Sequence, residues 1–130
     1  MNPVSWGIKR QPEVRIMVVE DDLDLREVAT EYLRKRHFSV VETASAEEAL
    51  HILARDRVVR AVFADVRLAG VGSGMALMHL IRSDCPEVKV LLTSGLPSLA
   101  DPPPGVPFLP KPYRLAEVER QLLDLLGGRH

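Results

Sequence analysis

The sequence predicts an α/β fold in which one five-stranded parallel sheet is covered by helices on both faces. Short apolar runs alternate along the chain with segments whose apolar residues recur at helical spacing, a pattern typical of strands that are buried on both sides. The length of 130 residues also lies at the usual size of one domain. We therefore expect a single, doubly wound domain.

Five apolar runs are predicted to form the strands of this sheet. They lie at residues 14–19, 38–43, 61–64, 88–92 and, as a shorter run, 106–109.

Four segments between and after these runs have the spacing of amphipathic helices. The apolar stripe of the first consists of Leu25, Val28, Ala29, Tyr32 and Leu33. The second begins at a capping box formed by Ser45 and Glu48. The third has to end near Pro86, because proline disfavours helical geometry in the residue before it. The last ends at the glycine pair 127–128.

The segment between the fourth and fifth predicted strands breaks the alternation. Residues 96–105 contain Pro97 and the run Pro102, Pro103 and Pro104. Proline lacks the backbone N–H that a helix interior needs, and three consecutive prolines preclude an ordinary helix. We predict that the helix expected here is shortened or missing.

Composition excludes several classes of function. The 17 Lys and Arg residues against 18 Asp and Glu leave no basic excess for a phosphate backbone, so we expect no direct contact with nucleic acid. No apolar run reaches the length of a membrane span, and we expect no membrane insertion. The single cysteine, Cys85, cannot form an internal disulfide, which favours a reducing compartment, the cytoplasm.

Polar side chains follow four of the predicted strands at the point where each strand ends. They are Glu20, Asp21 and Asp22 after the first, Asp65 after the third, Thr93 and Ser94 after the fourth, and Lys111 after the fifth. Right-handed crossovers bring these ends to one edge of the sheet. Clustered carboxylates need a cation, and hard oxygen ligands suit Mg²⁺. A carboxylate there is a candidate nucleophile toward a phosphoryl group, whose oxygens the lysine and a hydroxyl would bind.

Four motifs carry a family resemblance. They are IMVVEDD at 16–22, FADVRL at 63–68, LLTSG at 91–95 and FLPKP at 108–112. In this order, and at nearly this spacing, they resemble the receiver domain of two-component response regulators. The resemblance covers residues 14 to about 126 and implies a flavodoxin-like sheet with strand order 2-1-3-4-5. We assign residues 14–127 to a receiver domain and 1–13 to a flexible extension.

The resemblance implies a role for each motif residue. Asp65 would be the phosphoacceptor, and Glu20 and Asp21 the acidic pair, with Asp21 a direct ligand of Mg²⁺. Asp65 and the backbone carbonyl of Arg67 would complete the metal site. Lys111 would bind the phosphoryl group, and Ser94 and Phe108 would be the switch residues, although Thr93 is a competing hydroxyl and Phe108 could be a plain core aromatic.

The implied function is that of a monomeric, stand-alone receiver without an output domain of its own. It would take a phosphoryl group from a sensor histidine kinase or a histidine phosphotransfer protein and hydrolyse it slowly. A phosphorylation-driven change of shape would then act on a downstream protein target. We expect the donor to dock on the basic side chains of the first helix, which are Arg26, Arg34, Lys35 and Arg36.

Two other function classes stay open at this point. Asp22-Leu23-Asp24 mimics the nucleophile motif of haloacid-dehalogenase-like phosphatases, although acids in a first helical turn are also favoured by the helix dipole. A flavodoxin-type cofactor binder would need a phosphate-binding loop after the first strand, where this chain has three acids.

The chain departs from the receiver-domain pattern in the loop after Asp65. Ala69 replaces the proline that is usual there, and the loop through Gly70, Gly72 and Gly74 is one residue longer than usual.

Overall fold

The computed structural model describes residues 14–68, 73–95 and 104–127, which form one five-stranded parallel sheet and four helices. The strands are β1 (Arg15–Val19), β2 (Ser39–Thr43), β3 (Val59–Asp65), β4 (Lys89–Ser94) and β5 (Phe108–Pro110). The helices are α1 (Leu23–Lys35), α2 (Ala46–Arg55), α3 (Gly74–Asp84) and α4 (Leu115–Leu125). The sheet order β2-β1-β3-β4-β5 confirms the predicted topology.

Each face of the sheet has its own hydrophobic core, because successive strand residues point to opposite sides. On one face, Met17 and Val62 pack among the buried side chains of α2 and α3. On the other, Ile16, Phe63 and Leu91 pack among those of α1 and α4. Burial on both faces explains why the strands read as continuous apolar runs.

The predicted apolar stripe of α1 is only partly buried. Ala29 and Leu33 are in the core, but Val28 is 53% exposed and Leu25 is 38% exposed. Tyr32 leans toward α4, where its hydroxyl donates to Glu119 Oε1 at 3.0 Å. Arg36 donates from Nε to the other oxygen of Glu119 at 3.0 Å, so these side chains join α1 to α4.

Helix boundaries follow the predicted signals. Ser45 caps α2 by accepting from the N–H of Glu48 at 3.1 Å, while the Glu48 carboxylate accepts from the Thr43 hydroxyl. Helix α3 ends at Asp84, two residues before Pro86, and α4 ends just before Gly127, whose φ is +117°. None of the described helices is both long and apolar enough to cross a membrane.

Three predicted features fall wholly or largely outside the described residues. These are the extension at 1–13, most of the loop between Arg67 and Gly74, and the proline-rich segment 96–103. The described residues 104–107 that lead into β5 are not helical. The shortened or missing helix between β4 and β5 stays a prediction for the remainder of that segment.

Gly74, the first residue of α3, lies against the end of β3. A Cβ atom built on Gly74 would be 2.1 Å from the carbonyl oxygen of Asp65 and 2.8 Å from Val66 Cα. The N–H of Gly74 donates to the carbonyl of Val66 at 2.9 Å. Only glycine fits here, because backbone atoms on the other side cannot move as a flexible side chain could.

We expect Gly74→Ala to lower the free energy of unfolding by about 3 kcal/mol, since the new methyl group forces two backbone segments apart. Urea denaturation measures this change. Gly95→Ala is the matched control, because its nearest contacts would be ordinary ones at 3.9 Å from Lys111 side-chain atoms. We expect that control to cost less than about 1 kcal/mol. Equal destabilisation by both variants would contradict the close-approach argument.

Candidate functional site

The carboxyl ends of β1, β3 and β5 bring the predicted acids and the lysine together. One carboxylate oxygen from each of Glu20, Asp21 and Asp65 lies within 4.8 Å of the others. The Lys111 ammonium is between two of them, with Nζ 2.6 Å from Asp65 Oδ2 and 3.3 Å from Glu20 Oε1. The parallel register and the position of each residue at or just past the end of a strand produce this convergence.

Glu20 and Asp65 are buried, whereas Asp21 is exposed to solvent. Burial raises the pKa of the Glu20 carboxyl above its usual 4.5, and the Asp65 carboxylate acts in the same direction. The N–H of Asp22, which donates to Glu20 Oε2 at 3.1 Å, and the Lys111 ammonium both oppose this rise in pKa. The site therefore holds a carboxyl group that is costly to ionise and gains from a nearby cation.

Lys111 supplies such a cation. Burial works to lower the pKa of its ammonium group, but the hydrogen bond to Asp65 and the attraction of Glu20 outweigh burial, so the pKa rises above 10.5. Lys111 is therefore fully protonated at neutral pH.

The second carboxylate oxygen of Asp65, Oδ1, accepts from the N–H of Arg67 at 2.9 Å, so the structure brings Arg67 to the site through its backbone.

The hydroxyl groups of Thr93 and Ser94 have different surroundings. Thr93 Oγ1 donates to the carbonyl of Leu109 at 2.7 Å and is buried within the sheet. Ser94 is also buried, stands at the end of β4, and accepts from the N–H of Lys111 at its own carbonyl at 2.9 Å. The Thr93 hydroxyl is therefore already bonded to a backbone carbonyl.

Phe108, in β5, is half-buried and packs against the core on the α2 and α3 face.

Asp22, the nucleophile of the phosphatase hypothesis, is the N-cap of α1. Its Oδ1 accepts from the N–H of Leu25 at 3.0 Å, and its side chain is exposed. Asp24 is an exposed acid in the first turn of α1. The geometry gives Asp22 a capping role and agrees with the helix-dipole interpretation of Asp22 and Asp24.

Sequence reasoning missed three residues next to the site. Gly74 contacts the main chain of Asp65, and Arg26 donates to the carbonyl of Glu20 at 2.9 Å. Tyr113 packs edge-on against Phe63 with ring centroids 5.4 Å apart, and burial together with the Glu20 carboxylate raises the pKa of its hydroxyl. Tyr113 follows Lys111 closely enough for its position to have been a signal, but neither glycine spacing nor helical spacing could single out Gly74 or Arg26.

The donor set fits a hard divalent cation. Glu20, Asp21 and Asp65 each offer a carboxylate oxygen, the ligand type that Mg²⁺ prefers, and one of the three is open to solvent. Within the described ranges no histidine or cysteine joins this group, which disfavours a zinc-type site. A carboxylate, an ammonium and a cation at one strand edge can hold and neutralise a phosphoryl group.

Comparison with known proteins identifies what this arrangement is similar to. The family model for the response regulator receiver domain matches residues 16–101. The transcriptional activator protein PfeR of Pseudomonas aeruginosa is 32% identical over 120 residues, which are 88% of this chain and 38% of PfeR. The chain spans about half or less of the length of the curated relatives it matches.

Solved structures agree with this match. The receiver domain of the hybrid histidine kinase CckA is 32% identical with a TM-score of 0.74, covering 86% of this chain and 98% of that one. The response regulator TrrA of Thermotoga maritima, solved with Mg²⁺ and a beryllium fluoride, is 21% identical with a TM-score of 0.78. That alignment covers 86% of this chain and 98% of TrrA, and it supports the fold.

Proposed function

Because the chain belongs to the response regulator receiver domain family, we propose that Asp65 accepts a phosphoryl group from a phosphohistidine and that this modification switches the domain. The observation that carries the proposal is the grouping of Asp65 with Glu20 and Asp21 within 4.8 Å, together with the contact between Asp65 and Lys111. Receiver domains as a family belong to two-component systems and bind Mg²⁺ at an acidic site.

The proposed ligands of Mg²⁺ are Glu20, Asp21 and Asp65, with the backbone carbonyl of Arg67. When bound, Mg²⁺ would neutralise the acidic group and the charge on the phosphoryl oxygens. Support comes from the hard oxygen donors and from the raised pKa of Glu20, which shows that ionisation of this carboxyl is unfavourable without a metal ion even beside Lys111. The exposure of Asp21 leaves a route for a hydrated ion to enter.

The transfer step exchanges one bond to phosphorus for another. A carboxylate oxygen of Asp65 forms a bond to phosphorus while the bond to the donor nitrogen breaks, and its electron pair stays on that nitrogen. The imidazole, protonated on its other ring nitrogen, leaves as a neutral ring. Lys111 binds phosphoryl oxygens during this exchange, and Ser94 binds one afterwards. In slow hydrolysis, water attacks phosphorus, inorganic phosphate leaves, and the Asp65 carboxylate is restored.

The structure corrects the expected basic docking face on α1 at one residue. The Arg26 side chain is only 17% exposed and is bonded within the domain, whereas Arg34, Lys35 and Arg36 are exposed as expected. The first turns of α1 also expose three apolar side chains, Leu23, Leu25 and Val28, next to the exposed acids Asp24 and Glu27. Receiver domains interact with histidine kinases or phosphotransfer proteins, and we infer that the donor contacts the exposed surface of α1 beside the site.

Incubation with acetyl phosphate and Mg²⁺, followed by intact mass measurement, tests the proposed function. We expect one phosphoryl group per chain, and we expect none when a chelator removes the metal. The same label with and without chelator would overturn the metal-assisted mechanism, and no label under any condition would overturn the phosphoacceptor assignment.

We expect Mg²⁺ binding to weaken as the pH falls, and we expect the weakening to begin at a pH above 4.5. Protons compete with the metal for Glu20, and because the pKa of Glu20 in the folded protein is raised from 4.5, this competition begins at higher pH than for an ordinary glutamate. The loss approaches about tenfold per pH unit once Glu20 is mostly protonated. Calorimetric titration between pH 7 and pH 5 measures the effect. The Glu20→Gln variant should lack this component, and an affinity independent of pH would contradict the role of Glu20.

The proposed switch pairs Ser94 with Phe108. A phosphoryl group on Asp65 adds acceptor oxygens that draw the Ser94 hydroxyl toward it, and Phe108 moves into the space that this leaves. We expect Ser94→Ala to accept the phosphoryl group and to lose most of the change in amide chemical shifts at residues 104–110. Thr93→Val is the control, because the Thr93 hydroxyl bonds Leu109 instead. A full response in Ser94→Ala would overturn the switch.

Output through a separate protein target is part of the same proposal. The matched relatives are longer than this chain, and PfeR is named as a transcriptional activator. The absence of an output domain, the absence of direct nucleic-acid contact and the monomeric state stay predictions. Sizing of the full natural gene product before and after phosphorylation tests the last of them.

A further inference from the structure

We propose that Arg26, on α1, is a positioning residue for the metal site that holds the backbone of the acidic pair, Glu20 and Asp21, in place. The inference rests on the proposed function, because it assumes that Glu20 and Asp21 bind Mg²⁺. Arg26 donates from Nη1 to the backbone carbonyl of Glu20 at 2.9 Å and from Nε to Glu42 Oε1 at 3.2 Å. It therefore joins the loop that follows β1 to a side chain of β2.

The carbonyl that Arg26 binds belongs to the peptide group between Glu20 and Asp21. A peptide group is planar, so fixing its oxygen also fixes the N–H of Asp21 and the direction in which the chain enters Asp21. The N–H of Glu20 is already bonded to the carbonyl of Thr43 at 3.0 Å. With Arg26 in place, the backbone on both sides of Glu20 is anchored.

Glu42 holds Arg26 in the orientation that this contact needs. Glu42 is paired with Val18 in the register of β1 and β2, so its carboxylate is carried by the sheet. The Arg26 side chain is 17% exposed, and its guanidinium is fixed by two acceptors. Because the guanidinium is planar and rigid, the bond to Glu42 also sets the direction of the N–H that donates to Glu20.

The charge of Arg26 allows a test, because its effect as a charge and its effect as a positioning residue change the Mg²⁺ affinity in opposite directions. A positive charge beside an acidic site disfavours a second cation, so removing that charge should by itself strengthen Mg²⁺ binding. If Arg26 instead positions the ligands, its removal weakens binding. Changes of residues that orient metal ligands typically cost 10- to 100-fold in affinity, and we expect about a tenfold loss for Arg26→Gln.

The matched control is Arg34→Gln. Arg34 is also on α1, donates to a backbone carbonyl, that of Val40 at 2.9 Å, and lies near Glu42, but it does not contact the loop after β1. We expect Arg34→Gln to leave Mg²⁺ affinity within about twofold of the original chain, as for a partly exposed pair. Arg26→Lys keeps the charge and can reach one acceptor at a time, so it should recover part of the affinity.

Two measurements separate the possible outcomes. Calorimetry gives Mg²⁺ affinity, and amide exchange of residues 20–22 in metal-free protein reports whether the loop is held. Faster exchange and weaker binding in Arg26→Gln, with neither change in Arg34→Gln, support the inference. Unchanged or tighter binding in Arg26→Gln would overturn it, as would equal effects of the two variants. If the original chain binds no Mg²⁺, the proposed function fails, and unchanged exchange in Arg26→Gln would independently overturn the positioning role.

Discussion

Asp65→Asn is expected to reduce phosphorylation by acetyl phosphate to background. The amide has nearly the shape of the carboxylate and can still accept from the N–H of Arg67, but it is not a nucleophile toward phosphorus and offers Mg²⁺ no charge. Intact mass after incubation with acetyl phosphate and Mg²⁺ measures the loss.

Asp22→Asn is the matched control for Asp65→Asn, because Asp22 caps α1 and asparagine caps helices about as well as aspartate. Full labelling is expected in this control. Labelling that persists in Asp65→Asn and disappears in Asp22→Asn would transfer the nucleophile to Asp22 and support the phosphatase hypothesis instead.

Lys111→Met is expected to change metal binding and phosphorylation in opposite directions. The ammonium now contacts both Asp65 and Glu20, so it competes with any cation for those carboxylates. Without it, we expect Mg²⁺ to bind about five- to tenfold more tightly. Phosphorylation should nevertheless slow by about 100-fold or more, because the fixed charge that meets the phosphoryl oxygens is gone.

Calorimetry and a time course of labelling measure these two effects of Lys111→Met. Lys89→Met is the control, since Lys89 is an exposed lysine at the start of β4, at the opposite edge of the sheet. We expect neither quantity to change in the control. Weaker metal binding in Lys111→Met, or an unchanged labelling rate, would show that Lys111 does not act in both ways.

The convergence of Glu20, Asp65 and Lys111 could be predicted because each residue follows an apolar run within two positions. In a parallel sheet the ends of such runs share one edge, so the order of residues along the chain is enough to bring them together. Local signals predicted the helix boundaries at Ser45 and Pro86, whereas the strand order was implied by the family resemblance.

Residues whose role depends on distances across the fold could not be predicted in this way. Helical spacing assigns Arg26 to the surface, and nothing in the spacing reports that a carbonyl of the preceding loop points toward it. The same spacing assigned Val28 to the core, yet α1 turns that side chain to solvent. Among the glycines after β3, the choice of Gly74 for the close contact depends on how α3 approaches Asp65.

The contact between Gly74 and Asp65 has a mechanical consequence. There is no room for even a methyl group between the main chain at Asp65 and the first turn of α3. Closely packed groups of this kind transmit displacement from one to the other. We therefore expect a shift at the end of β3 to displace α3. The outer surface of α3, which includes the exposed His79 and Leu80, would then respond to events at Asp65.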